Sequence, residues 1–328
     1  MLPQDFGLKI GHAHDADAVT GVTVALVDDP AGATFVFLPL GPATTTRQCD
    51  AGRLDHLVGR AHAVCFAGGS AFGLGASGGV MDFLAERGIG NAVRASVVPT
   101  VPTAALFDLG LGRPDAYPGP ELARAACEDA LASKGGDFAR GSVGAGRGAT
   151  VGKALGPAHL MKGGIGAATA VSSDGAAAFA LVALNAFGDI VDAETGELLA
   201  GARDPEDGHR LANLPARLGR DLHAVVPSPI ENTTLALVAV NARLGGAALH
   251  RVARMASAGL ARAIVPAHCV FDGDVLFALA TGEAAANENT LGHLAATALA
   301  RACADAVRHA DGLGLVPDRG MVRGVVAN

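Results

Sequence analysis

Apolar and polar positions alternate between long uncharged runs and short polar breaks along the chain. VTGVTVALV (Val19 to Val27) and ATFVFLPLG (Ala33 to Gly41) read as two strands, expected to pair around the turn Asp28-Asp29-Pro30. AVCFAGGSAFGLGASGGVMDFLAERG (Ala63 to Gly88) reads as a buried strand, a glycine turn and a helix from about Phe72. PELARAACEDALASK (Pro120 to Lys134) has a proline at its start and Gly135-Gly136 beyond its end, the punctuation of a helix. SVGAGRGATVGKALG (Ser142 to Gly156) is too rich in glycine for a regular element. The stretch from Ile165 to Leu198 predicts two strands joined by a hairpin at Ser173-Asp174-Gly175. Gly201 to Pro229 mixes Pro, Asp, Gly and Arg and reads as a surface loop or protease-accessible linker. A strand (Leu235 to Asn241), a helix (Gly246 to Ile264), a strand (Val275 to Gly282) and a helix (about Leu291 to His309) complete the chain.

Helices grouped between sets of strands predict an α+β layered sandwich. A strictly alternating βα pattern is absent, which places a Rossmann fold second. The 328 residues suffice for one large core or two ordinary ones.

Half of the residues are apolar and 17% are charged, which excludes a disordered chain. The apolar content comes from Ala, Val, Leu and Gly. With no Trp, one tyrosine (Tyr117) and a net charge of -7, a nucleic-acid partner is not expected. No apolar run is long enough to span a membrane, and the amino terminus lacks the pattern of a signal peptide. The five cysteines are scattered and form no C-x-x-C pair. They predict neither a disulfide framework nor a structural zinc site, and fit a reducing cytoplasm.

Several stretches invite a chemical reading. GSVGAGRGATVGK fails both phosphate-loop patterns, because Ala149 stands where the dinucleotide motif needs glycine and Ala154 follows Gly152-Lys153. Close backbone packing beside a cleft fits it better, although Lys153 is a lone cation there. HAHDAD (His12 to Asp17) has the residue types of a metal site but no partner set downstream, so a solvated turn is the default and no metal or cofactor is expected. GGSAFGLG (Gly68 to Gly75) resembles a nucleophile elbow in outline, but Phe72 occupies its second glycine position. In His268-Cys269-Val270-Phe271-Asp272-Gly273-Asp274, two carboxylates bracket a glycine before an apolar strand. Adjacent His268 and Cys269 would point to opposite faces of a strand, which weakens a thiol–imidazole pair.

ENTTLALVAVNARL (Glu231 to Leu244) admits three readings: a glycosylation sequon, a turn entering a strand, or a peptide bond cut to leave Thr233 as a new amino terminus. An amino-terminal threonine carries its own base, the α-amine beside the hydroxyl.

TGVTV (Thr20 to Val24), GGSAFGL (Gly68 to Leu74), GRGATVGK (Gly146 to Lys153), ENTTLALVAVNA (Glu231 to Ala242) and DGDVLFALATG (Asp272 to Gly282) occur in an order that resembles the DmpA-type aminopeptidases. That family comprises L-aminopeptidase/D-esterases, β-peptidyl aminopeptidases and the nylon-oligomer hydrolase. The resemblance spans most of the chain. It implies a four-layer αββα sandwich similar to the N-terminal-nucleophile hydrolases, and one hydrolase domain self-cleaved into subunits 1–232 and 233–328. The implied assembly is a homo-oligomer, a tetramer, of such pairs. By position Thr233 matches the nucleophile freed by cleavage after Asn232, Lys153 the catalytic lysine of the nylon-oligomer branch, Asn185 a site asparagine, and Asp272 and Asp274 that branch's two aspartates. The two carboxylates are expected to anchor Lys153, and the Asn185 amide to serve as an oxyanion donor. Phe107 stands where the family has a site tyrosine, and Thr103-Ala104-Ala105 where amine-recognising members carry an acidic residue, so amide hydrolysis is more secure than strict aminopeptidase action. The expected substrate is a peptide or small amide. The alternatives are an acyltransferase of the ornithine acetyltransferase kind and a non-catalytic ligand-binding protein.

Overall fold

A computed structural model describes residues 1–133, 137–218 and 231–322. Gly135-Gly136 and the part of the expected 201–229 loop beyond residue 218 lie outside the described residues. Two sheets stack face to face with helices outside each, giving four layers, α, β, β and α. The first sheet runs Leu8–Asp15, Thr20–Val27, Ala63–Ala67, Thr103–Ala105, Thr46–Arg47. The second runs Gly164–Val171, Ala177–Asn185, Thr233–Ala242, Val275–Ala284, Ala33–Pro39, Arg60–Ala61. Helices Ser77–Ala85 and Pro120–Ala132 cover the first sheet, and Gly246–Ala263 and Glu288–His309 the second. The α+β sandwich read from the sequence is therefore the observed architecture.

The apolar runs explain the layering. Every residue of Ala177–Asn185 is buried, as a central strand covered on both faces requires. In Thr233–Ala242 the two faces separate cleanly. Leu235, Leu237 and Ala239 point into the layer between the sheets, while Ala236, Val238 and Val240 meet the outer helices. This strand pairs antiparallel with Ala177–Asn185 and parallel with Val275–Ala284, reached through the crossover helix Gly246–Ala263. The alternation puts Thr233 on the inter-sheet face, and directly opposite it in the ladder stands Asn185.

Three expectations are corrected. Thr20–Val27 and Ala33–Pro39 do not pair with each other; they belong to different sheets, so residues 28–32 connect the two layers instead of turning a hairpin. The HAHDAD stretch is strand through Asp15, and only its exposed end, Ala16-Asp17, is turn: His12 is inside Leu8–Asp15, its Nδ1 2.9 Å from Thr23 Oγ1, and burial lowers its pKa to about 4. The described part of the 201–229 segment is not simply surface loop, since Arg203 bridges to Leu211 and the short helix Leu214–Leu218 buries Leu214. No described helix is long and apolar enough to cross a membrane.

The abundance of alanine and glycine has a packing reason. At Gly166 a methyl group would lie 2.1 Å from Ala302 O and 2.4 Å from Ala306 N, backbone atoms of Glu288–His309. At Gly11 it would lie 2.2 Å from Ala126 O of Pro120–Ala132. Helices Pro120–Ala132 and Glu288–His309 thus rest against the sheet backbone itself. Gly166→Ala is expected to destabilise by roughly 1–3 kcal/mol, because helix backbone cannot yield as a side chain does. Gly78→Ala, in helix Ser77–Ala85 with nothing near the added methyl, is expected to be neutral or stabilising by up to about 1 kcal/mol. Thermal unfolding of both variants checks the pair, and a Gly166→Ala protein melting at or above the parent would refute the packing argument.

Candidate active site

Asn185 ends one central strand of the second sheet and Thr233 begins its neighbour, and the site is built around this pair. The Asn185 side chain is buried and fully committed. Its Oδ1 accepts from Lys153 Nζ at 2.7 Å and from Thr150 N–H at 2.9 Å. Its Nδ2 donates to Phe107 O at 3.0 Å and to Glu231 O at 3.1 Å. Two donors on one side and two carbonyls on the other fix the amide orientation without ambiguity. Phe107 reaches in from the far side of the sandwich, two residues beyond the first-sheet strand Thr103–Ala105, so the site joins both sheets.

Lys153 comes from the glycine-rich stretch. Gly152 precedes it at φ 72°, a left-handed conformation, and a methyl group there would fall 1.9 Å from Gly201 C. Packing of backbone against backbone, the reading preferred for this stretch, is what turns the lysine inward. Its Nζ donates to Asn185 Oδ1, Asn185 O (3.1 Å) and Glu231 O (3.0 Å). Burial pushes the ammonium down to about 7, against the pull of Asp272, Glu231, Asp108 and Asp274, and three oxygens around Nζ also favour the charged form. The expected anchoring by the two aspartates is not what the structure has. Among the described residues, the direct partners of Lys153 are Asn185 and Glu231, because an amide and two carbonyls reach Nζ first.

The aspartates hold the other side of Thr233. Asn232 bridges to Asp272 in parallel register, and Asp274 Oδ1 accepts the Thr234 N–H at 2.6 Å. Asp272 Oδ2 accepts the Cys269 N–H at 2.7 Å and closes the loop before the strand Val275–Ala284. Burial first, and Asp274 second, raise the Asp272 carboxyl well above its ordinary value. The Cys269 thiol is pushed up to about 12 by burial and by these two carboxylates, which disfavours a thiolate nucleophile.

The Asn232–Thr233 peptide lies at the centre. The Asn232 carbonyl oxygen accepts from the Gly273 N–H at 2.8 Å and from Thr233 Oγ at 2.6 Å. A methyl group on Gly273 would sit 2.8 Å from Thr233 Oγ and 2.7 Å from Ala43 O, so only glycine lets this amide approach. The Asn232 side-chain amide is buried with no hydrogen-bond partner among the described residues.

All six residues singled out from the sequence therefore gather at one place: Lys153, Asn185, Asn232, Thr233, Asp272 and Asp274. Sequence reasoning missed three groups. The Glu231 carbonyl and the Gly273 amide are backbone atoms, for which no side chain signals. His268, whose Nδ1 lies 2.8 Å from Asp274 Oδ2, was visible only as a neighbour of Cys269.

This chain is similar to several known proteins. Residues 6–316 match peptidase family S58. An uncharacterized aminopeptidase of Mycobacterium leprae is 39% identical over 289 residues, covering 84% of this chain and 77% of its own. A 6-aminohexanoate-oligomer endohydrolase of Paenarthrobacter ureafaciens is 33% identical over 287 residues, 86% of this chain and 76% of its own. Among solved structures, the L-aminopeptidase D-Ala-esterase/amidase of Ochrobactrum anthropi, described as a variant of the Ntn hydrolase fold, superimposes with a TM-score of 0.69 at 16% identity, covering 93% of this chain and 85% of that one. A β-aminopeptidase of Burkholderia does so with a TM-score of 0.66 at 21% identity, covering 95% and 88%. The non-catalytic reading is set aside: this chain belongs to peptidase family S58 and is a hydrolase.

Proposed function

We propose that the protein is a self-processing amide hydrolase whose nucleophile is Thr233, exposed by scission of the Asn232–Thr233 bond into subunits 1–232 and 233–328. The observation that carries this reading is the Asn232 carbonyl held between the Gly273 N–H and the Thr233 hydroxyl. A donor already aimed at a carbonyl oxygen stabilises the negative charge that appears there on attack.

In the first reaction the Thr233 Oγ–H bond breaks and Oγ bonds to the Asn232 carbonyl carbon. The C–N bond then breaks, the nitrogen takes the proton, and an ester remains. Water hydrolyses it to the Asn232 carboxylate and the Thr233 hydroxyl. Both Lys153 Nζ and Asn185 Nδ2 donate to Glu231 O, one residue upstream of the cut. Withdrawal of that segment frees one donor on each for a substrate. It also releases the buried Asn232 amide, which has no partner among the described residues.

In the mature enzyme the new α-amine, with an unperturbed pKa of about 7.7–8.0, removes the Thr233 hydroxyl proton as Oγ attacks a substrate amide. The freed Asn185 N–H is the oxyanion donor, and the acyl-enzyme ester on Thr233 is hydrolysed. Asp274 fixes the Thr234 N–H and with it the position of Thr233. The family and the relatives named aminopeptidase and oligomer endohydrolase support peptide or small amide substrates. The first-sheet stretch ending at Phe107 offers buried Thr103, Ala104 and Ala105 and no acidic group for an amine. We extend the proposal to a cytoplasmic homo-oligomer of cut pairs.

Intact mass of the purified protein is expected to give two chains, the smaller beginning Thr-Thr-Leu-Ala, while Thr233→Ala stays whole. Scission of the Thr233→Ala protein at that same bond would sink the proposal. Gly273→Ala, crowding Oγ, should slow processing by at least about tenfold, roughly the effect of losing part of one oxyanion contact; band conversion over time reads this. Lys153→Met should lower kcat/KM on a p-nitroanilide at least about tenfold. It should also move the acid limb of the pH profile upward, since a nearby ammonium lowers the α-amine pKa and its removal lets that pKa rise. A limb that stays or moves down contradicts the role of Lys153.

A further inference from the structure

Resting on that reading, we propose that His268 is a positioning residue for the same site, acting through Asp274. Two buried carboxylates two residues apart need donors to offset their mutual repulsion. Lys153 spends its contacts on Asn185 and on the Glu231 carbonyl. Asp272 is bonded to the Cys269 N–H. Asp274, 2% exposed at its side chain, has the Thr234 N–H on Oδ1 and His268 Nδ1 on Oδ2 at 2.8 Å. Facing a carboxylate, Nδ1 is the protonated nitrogen and donates.

The backbone marks the position as well. His268 sits at φ 55°, a left-handed conformation that non-glycine residues seldom adopt and that histidine tolerates better than most. Held this way, the ring crosses the loop from its first residue to its last. The Asp272 N–H bonds to Cys269 O within that loop. The imidazole is 23% exposed, so it joins a buried carboxylate to the protein surface. The charged and titratable groups about Asp274 are His268, Asp272 and Lys153, with Cys269 in the same loop and Cys303 on the helix Glu288–His309. Of these, His268 alone among the described residues bonds the Asp274 carboxylate through a side chain. Without it, Asp274 Oδ2 turns away from its fixed place, and the Thr234 N–H and the neighbouring Thr233 Oγ lose their setting.

Two replacements separate the hydrogen bond from the backbone shape. His268→Gly accepts the left-handed conformation but has no ring. His268→Asn accepts it and keeps a donor near the position of Nδ1. Steady-state hydrolysis is measured on the 6-aminohexanoyl or aminoacyl p-nitroanilide that the parent protein cleaves fastest, together with the rate of conversion to two chains. His268→Gly should lose roughly ten- to a hundredfold in kcat with KM nearly unchanged, the scale of one hydrogen bond to a charged group. His268→Asn should recover to within about threefold of the parent. If His268→Gly does not fold, His268→Phe keeps the volume without the donor and should show the same kcat loss. Parental kcat in the ring-less or donor-less variant overturns the proposal. So does a loss confined to KM, or a His268→Asn protein as slow as His268→Gly. If the parent stays one chain, or Thr233→Ala hydrolyses the anilide as fast as the parent, the Thr233 reading itself falls. If those two controls behave as expected and His268→Gly is unimpaired, only the role of His268 falls.

Discussion

The pairing of Asn185 with Thr233, at adjoining ends of two central antiparallel strands, is the constraint on which the site depends. Both strands are buried on both faces, so neither can slip by one residue without turning an entire row of apolar side chains to the wrong layer. That register holds Thr233 and Asn185 on the inter-sheet face. From there the Asn185 amide reaches across the sandwich to Phe107 O, and inward to Lys153. A site held by strand register is stiff, as the proposed attack of Thr233 on its own peptide bond requires.

Burial sets the chemistry as firmly as geometry does. Lys153, Asp272 and Asp274 are removed from water together; burial lowers the Lys153 ammonium and, with Asp274 beside it, raises the Asp272 carboxyl. Lys162 is a second buried lysine, with Nζ donating to Gly146 O, Ala149 O and Gly163 O, and burial lowers it to about 7 as well. It clasps the glycine-rich stretch that carries Lys153, and Asp108 ties Thr20 Oγ1 to the Gly69 N–H nearby. Beneath the site, Lys162 is held by three backbone carbonyls and Asp108 by a hydroxyl and a backbone amide, with small residues leaving the room for them.

In the uncut chain the Glu231 carbonyl occupies donors from both Lys153 and Asn185, and the Asn232 carbonyl occupies the Gly273 amide. The proposed self-cleavage thus uses the contacts that would later serve a substrate, with the protein's own backbone as the first occupant. This arrangement explains economically why residues on strands far apart in sequence converge on one peptide bond.

Much was legible from the residues. Long apolar runs bounded by Gly, Pro and Asp located the central strands and the two long helices near the carboxyl end, because burial on both faces leaves no other pattern. Motif order carried the family, and with it the expectation for Lys153, Asn185, Asn232, Thr233, Asp272 and Asp274, which the fold brings together. The partners of those residues were not legible. Val19 to Val27 and Ala33 to Gly41 look like a hairpin, since a short turn between two strands is the same in sequence whether it stays in one sheet or steps to another. Only the stacking of layers decides between them. Lys153 looked destined for the aspartates, yet Nζ meets an amide and two carbonyls, because a side chain's partner depends on which atoms the fold brings nearest. The Gly273 amide and Glu231 carbonyl carry no side-chain signature at all. By itself the sequence determined which residues are buried, which elements form and which side chains are candidates for chemistry, since those follow from local pattern and residue type. The tertiary structure decided which sheet each strand joins and which atoms touch at the Asn232–Thr233 bond, since those are set by packing among segments distant in the chain.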